Sequence, residues 1–124
     1  MWLCHSFPVE DSVTLAFYER GWRGMNIEPV REHFDDLVRA RTRDINLCCA
    51  AGDFEGTIEL WVPSIRGLAS SSPDVKKLLM DEGVEGEART VPVQTLSALC
   101  DQNPCDAIHF LKIDVEGAEK QVLA

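Results

Sequence analysis

The sequence predicts an α/β fold: a mostly parallel sheet with helices on both faces. Three observations carry this expectation. Helix-like and strand-like segments alternate along the chain, the pattern that builds a parallel sheet. Short apolar runs at 25–28, 45–51 and 108–113 read as strands. Between them lie segments whose apolar residues recur at helical spacing.

The elements follow in order. Residues 11–20 carry Val13, Ala16 and Phe17 at helical spacing, and Gly21 is placed to end that helix. Residues 25–28 form a short strand closed by Pro29. Residues 30–41 set Val30, Phe34, Leu37 and Val38 on one stripe, among acids and arginines. A proline at the start is tolerated because the first helical turn has no N–H partners within the helix. Residues 45–51 are apolar except for Asn46 and predict one buried strand. Gly52 and Asp53 then offer a turn. Residues 57–62 alternate, with Ile58, Leu60 and Val62 on one face, which predicts a half-exposed antiparallel strand.

Residues 65–73 read as a loop, and 74–82 as a short amphipathic helix. Residues 85–89 are polar, and 91–94 predict a brief strand. Pro92 favours an edge there, since it cannot donate to a ladder. Thr95 is placed to cap a helix reaching about Gln102. Residues 108–113 are the most strand-like run and end at Asp114, and a further helix begins at Glu116. The whole chain, 1–124, reads as one partial domain without repeats or low complexity.

Composition removes several classes. A net charge of −9 disfavours nucleic-acid partners, which need a basic face to displace counterions. Arg39, Arg41 and Arg43 form the one basic cluster and read as compensation of a helix C-terminus. No apolar run approaches the roughly 20 residues that span a bilayer, so no membrane partner is expected. Residues 1–8 lack the basic-then-apolar pattern of a secretory leader. The five cysteines are odd in number and form no C-x-x-C pair. They predict free thiols in a reducing, cytoplasmic setting, with no zinc knuckle. Cys100 and Cys105 flank a turn and are close enough in sequence to approach each other. His5, His33 and His109 have no metal-ligand spacing, so no metal is expected.

In open α/β sheets, ligands bind beyond the carboxyl ends of the strands. Those ends fall here at Glu28, at 51–53 and at 114–116, each with an acid at or near the tip. A carboxylate after the second strand can accept both hydroxyls of a ribose. The plainer alternative for Glu28 is a solvated acid at a strand end. Asp114 is followed by Val115, Glu116 and Gly117, and glycine there lets the backbone turn sharply or approach a ligand. Asp114 also suits a plain N-cap, and Glu119 a helix dipole.

Taken together, several blocks resemble the FkbM family of methyltransferases. They are Asp11-Ser12-Val13-Thr14 with Phe17-Tyr18, then Gly21-Trp22-Arg23-Gly24 leading to Ile27-Glu28-Pro29, and the run from Phe110 to Glu119. Thr95-Leu96 and Ala51-Gly52 fit more weakly. The likeness covers about Pro8 to Ala124. It implies a Rossmann-like class I methyltransferase fold with S-adenosylmethionine as methyl donor. It further implies O-methylation of a small-molecule or sugar hydroxyl. Under it Glu28 and Pro29 lie at the ribose, Asp53 near the adenine, and Asp114 by the methionine moiety or the reacting hydroxyl. Glu116 is then an orienting group or base beside Asp114.

The sequence departs from the family at its start. The family carries an Asp-x-Gly-Ala-Asn type stretch just before the segment matching Pro8. Residues 1–7 hold Met-Trp-Leu-Cys-His-Ser-Phe instead, with no glycine and no acid. The strands that follow the final helix in the family are also missing, so the fold is expected to be incomplete. A missing first strand leaves unpaired N–H and C=O groups between the strands ending at Glu28 and Asp114. Residues 2–6 are expected to fill that gap as a stub. The missing glycines imply weak cofactor binding, and the alternative function is a non-catalytic Rossmann-like module that binds no cofactor.

Overall fold

The computed structural model describes residues 2–4, 12–65, 68–114 and 119–123. Four strands form a parallel sheet in the order β3-β2-β1-β7: β1 (Trp2–Cys4), β2 (Gly24–Ile27), β3 (Ile45–Leu47) and β7 (Phe110–Leu111). A second, three-stranded sheet has the order β4-β6-β5, from β4 (Ala50–Gly52), β5 (Gly56–Pro63) and β6 (Gly86–Thr95). In it β4 runs parallel to β6, and β5 antiparallel. The α/β expectation therefore holds, as small parallel and mixed sheets with several helices.

The expected stub is present. Trp2 sits opposite Gly24 on one side and Phe110 on the other, so β1 fills the gap between β2 and β7. The ladder described is Trp2–Cys4; residues 5 and 6 of the expected stub lie outside the described residues.

The chain crosses from β2 to β3 through α2 (Arg31–Ala40). Pro29 and Val30 stop β2 and start this helix, and Val30 is its N-cap. Leu37 and Val30 bury the inward stripe, at 1% and 2% exposure. The arginine cluster behind α2 is not simply dipole compensation. Arg39 lies in the last turn and pairs with Asp36, but the Arg41 side chain is buried. Its guanidinium bonds Ser12 Oγ at 2.7 Å, lies 3.5 Å from Asp44, and faces the Tyr18 ring at 5.1 Å. Asp44 in turn accepts from Gly24 N at 2.9 Å and Asn26 Nδ2 at 3.0 Å. This network ties the amino end of β2 to α1 (Leu15–Glu19) and to the end of α2. The first helix is thus shorter than residues 11–20, and Asp11 lies outside the described residues.

Three strand expectations need correction. The single strand at 45–51 is two strands, because the chain changes partner. Leu47 pairs with Ile27 in the first sheet, whereas Ala50 pairs with Val93 in the second, and Cys48 and Cys49 make the step. The brief strand at 91–94 is the ten-residue β6, which continues through the polar residues 86–90 along β5. Pro92 sits just before Val93, where pairing with β4 begins, so locally it still has a neighbour on only one side. The strand at 108–113 shortens to Phe110–Leu111, because β1 offers it only Trp2 and Leu3 as partners. Ile108 and Leu111 are consequently exposed.

The alternation in β5 also breaks. Trp61 is buried beside Leu60 and Val62 because Ser70 bridges its backbone, at 2.9 and 3.1 Å, and Gly86 lies under its ring. The remaining helices are α3 (Pro73–Asp81), α4 (Leu96–Gln102) and α5 (Glu119–Val122). Thr95 caps α4 as expected, its hydroxyl accepting from Ala98 N at 3.1 Å. Two apolar clusters result. Met25, Ile27, Cys49 and Leu99 pack the first sheet under α4, while Val30, Ala50, Leu60, Val62, Val91 and Val93 pack the second.

Candidate functional site

Because β1, β2, β3 and β7 are parallel, their carboxyl ends share one edge of the sheet. Residues Gly24 and Phe110 are level, since both face Trp2. Counting four residues on from each reaches Glu28 and Asp114. Glu28 directly follows β2, whereas Asp114 lies three residues beyond Leu111, the last paired residue of β7, so both acids follow the carboxyl ends of parallel strands. Asp53 follows β4, which runs parallel to β6 in the second sheet.

Their surroundings differ. The Glu28 side chain is 2% exposed. Its Oε1 accepts from Val30 N at 2.8 Å, and His33 Nδ1 stands 3.6 Å from the same oxygen. Glu28 N donates to Leu47 O at 3.0 Å, which fixes the end of β2 against β3. Pro29 is half-buried and turns the chain from this strand end into α2. Asp114 is exposed, with Lys112 Nζ 3.5 Å from Oδ2. Asp53 is exposed at the turn after Gly52. Glu116 lies outside the described residues.

Two further groups lie close in sequence to the ends of β3 and β4. Burial pushes the Cys48 thiol above its ordinary value; the Arg31 charge opposes this, and the Glu28 and Asp35 carboxylates add to it. The thiol therefore stays protonated and lies within the electrostatic reach of Glu28 and Arg31. Glu55 accepts from Thr95 N and Thr95 Oγ1, both at 3.1 Å, and ties the turn after β4 to the start of α4. His33, Arg31, Cys48 and Glu55 are not evident as site residues from the sequence. The available signal for His33 is Pro29: a helix starting just after it brings residue 33 back over the strand end through its first turn. Asp53 follows a strand of the second sheet, not of the sheet whose ends carry Glu28 and Asp114.

Among the described residues, no group of three or more His, Cys, Asp or Glu side chains could hold a metal ion. No helix among them is long and apolar enough to cross a membrane.

A parallel sheet beside a three-stranded mixed sheet, with several helices, defines an α/β domain. More narrowly, the chain belongs to the family described as the methyltransferase FkbM domain, whose family model matches residues 5–124. The chain is therefore a methyltransferase-type domain by family. No curated protein and no solved structure matches it closely enough for comparison.

Proposed function

We propose that this domain transfers a methyl group from S-adenosylmethionine to a hydroxyl of a small molecule or sugar. In this reading the sheet is the core of a Rossmann-like class I methyltransferase, and its carboxyl edge is the cofactor site. The observation that supports this reading is that β2 and β7 run parallel on either side of β1, with Glu28 and Asp114 following their carboxyl ends. The donor set suits the group. A carboxylate at the end of β2 matches vicinal ribose hydroxyls, and acids suit a cationic sulfonium. Val30 N–H holds Glu28 Oε1 and His33 stands beside the same oxygen, so the carboxylate is fixed in place at the strand end.

S-adenosylmethionine supplies an electrophilic methyl group on a sulfonium. The chain's residues do the rest. Glu28 and Pro29 hold the ribose end, and Asp53 flanks the adenine. Asp114, exposed at the edge, orients the acceptor hydroxyl and takes its proton; Glu116 assists. Most of the gain comes from holding donor and acceptor in line, with proton removal contributing a smaller factor. The chain after β1 reads His5-Ser6-Phe7, without glycine, so backbone cannot approach the cofactor as closely there. Binding is correspondingly weak.

The test is transfer of isotope-labelled methyl groups, at millimolar cofactor, to a panel of sugar and small-molecule hydroxyls. Labelled methyl ether is expected with the native chain and is lost on Asp114→Asn. Absence of transfer to every acceptor, with the fold intact, would leave the non-catalytic module as the better description.

A further inference from the structure

A different part of the molecule carries a second chemistry, independent of methyl transfer. On the opposite edge, where β7 begins, the end of α4 and the following loop enclose a depression of about 500 Å³. Cys100 and Cys105 both line it, with Asp101 and Asp106. Both thiols are half-buried and free. The chain is folded back between them. Asn103 donates to Leu99 O twice, from its backbone N at 3.1 Å and its Nδ2 at 3.0 Å, closing the end of the helix. That return brings residue 105 to the same wall as residue 100.

We propose that Cys100 and Cys105 are a redox-modification site, a dithiol that a peroxide converts to an intramolecular disulfide. Burial raises the Cys100 thiol, and the nearby Cys105 and Asp101 add to that. Cys105, on the loop, is the attacking group. Its thiolate sulfur bonds to one peroxide oxygen, the O–O bond breaks, and hydroxide leaves with the electron pair. Cys105 is then a sulfenic acid. The Cys100 sulfur attacks it, the S–O bond breaks, and the leaving hydroxide takes the Cys100 proton as water. Two thiols are oxidised by two electrons and one peroxide is reduced to two waters. The other described cysteines are poorer candidates. Cys49 is buried and its thiol is pushed up to about 11, and burial also raises Cys48.

The test treats the full chain with hydrogen peroxide and maps its peptides by mass without reduction. The expected product lacks two hydrogens, carries a Cys100–Cys105 link, and regains both thiols with dithiothreitol. In Cys100→Ser the second step cannot occur, so dimedone traps a sulfenic acid at Cys105 that the native chain does not accumulate. Circular dichroism checks that the variant is folded, and Cys105→Ser serves as the second variant, in which dimedone labelling at position 105 disappears. Recovery of Cys100 and Cys105 as separate thiols, a link from either to Cys4, Cys48 or Cys49, or equal dimedone labelling in Cys100→Ser and the native chain would each overturn the proposal.

Discussion

Gly52 ends β4 immediately before Asp53, and its replacement by alanine gives a sharp test of how that edge is packed. A Cβ at position 52 would lie 2.8 Å from Val93 Cγ1, well inside the 3.4–4 Å of ordinary contact. Val93 is 2% exposed and β-branched, so its methyl cannot swing aside without leaving its rotamer. Overpacking of this kind costs about 1–3 kcal/mol. Against it stands the loss of unfolded-state freedom when glycine becomes alanine, which stabilises by about 0.4–1 kcal/mol where the backbone is compatible. The backbone at Gly52 is ordinary, since its φ is not in the left-handed region. The net expectation for Gly52→Ala alone is a loss of roughly 0–2.6 kcal/mol, the difference of these two effects. In a Val93→Ala background the clashing methyl is gone, and the same substitution should become neutral or stabilising by about 0.4–1 kcal/mol. Urea unfolding followed by the fluorescence of buried Trp61 measures all four corners of this cycle. An equal cost of Gly52→Ala in both backgrounds would refute the packing argument, because the coupling would then be zero.

Other outcomes follow from the same structure. Asp44 should titrate above its ordinary 3.8, because burial outweighs the donors from Asn26, Gly24 and Arg41; carboxyl-carbon NMR checks this, and a value below 3.8 contradicts it. A raised folded value means its contribution to stability is present below the ordinary value and is lost as pH rises through the folded one. Cys49, with its thiol at about 11, should resist iodoacetamide at mildly alkaline pH until denaturant is added; rapid labelling of the native chain would show that the site is open. Glu28→Gln keeps an acceptor for Val30 N–H but removes the charge, so cofactor affinity should fall roughly 10- to 100-fold, the equivalent of about 1.5–3 kcal/mol. An unchanged affinity would place the ribose elsewhere. Calorimetry of the native chain with S-adenosylmethionine should give a constant weaker than micromolar, and a micromolar constant would mean the missing glycines matter little.

Much of this arrangement is legible in the sequence wherever a local signal and the tertiary environment agree. Pro29 and Val30 mark the end of β2 and the start of α2, and the Thr95 cap is formed. The stub at 2–4 is deducible because two parallel strands need something between them. Signals fail where partners decide. Nothing local says that residues 45–51 change sheets at Cys48 and Cys49, since both halves are equally apolar. The polar start of β6 is a strand only because β5 pairs along its whole length. Conversely, residues 108–113 have the strongest strand pattern but find partners at only two positions. At the candidate site, strand-end acids are visible from sequence. The burial of Glu28 beside His33, and of Arg41 against Asp44, depends on helix α2 returning over the sheet and is not.

The central proposal is that one carboxyl edge of the parallel sheet holds the adenosyl sulfonium. Amide-resolved NMR during titration with S-adenosylmethionine tests it directly, since it registers weak binding and its location together. Shifts should concentrate at Ile27, Glu28, Cys48, Asp53 and Asp114, and diminish in Glu28→Gln. A saturated titration without shifts at those positions, or with shifts confined to residues 100–108 on the opposite edge, would contradict it.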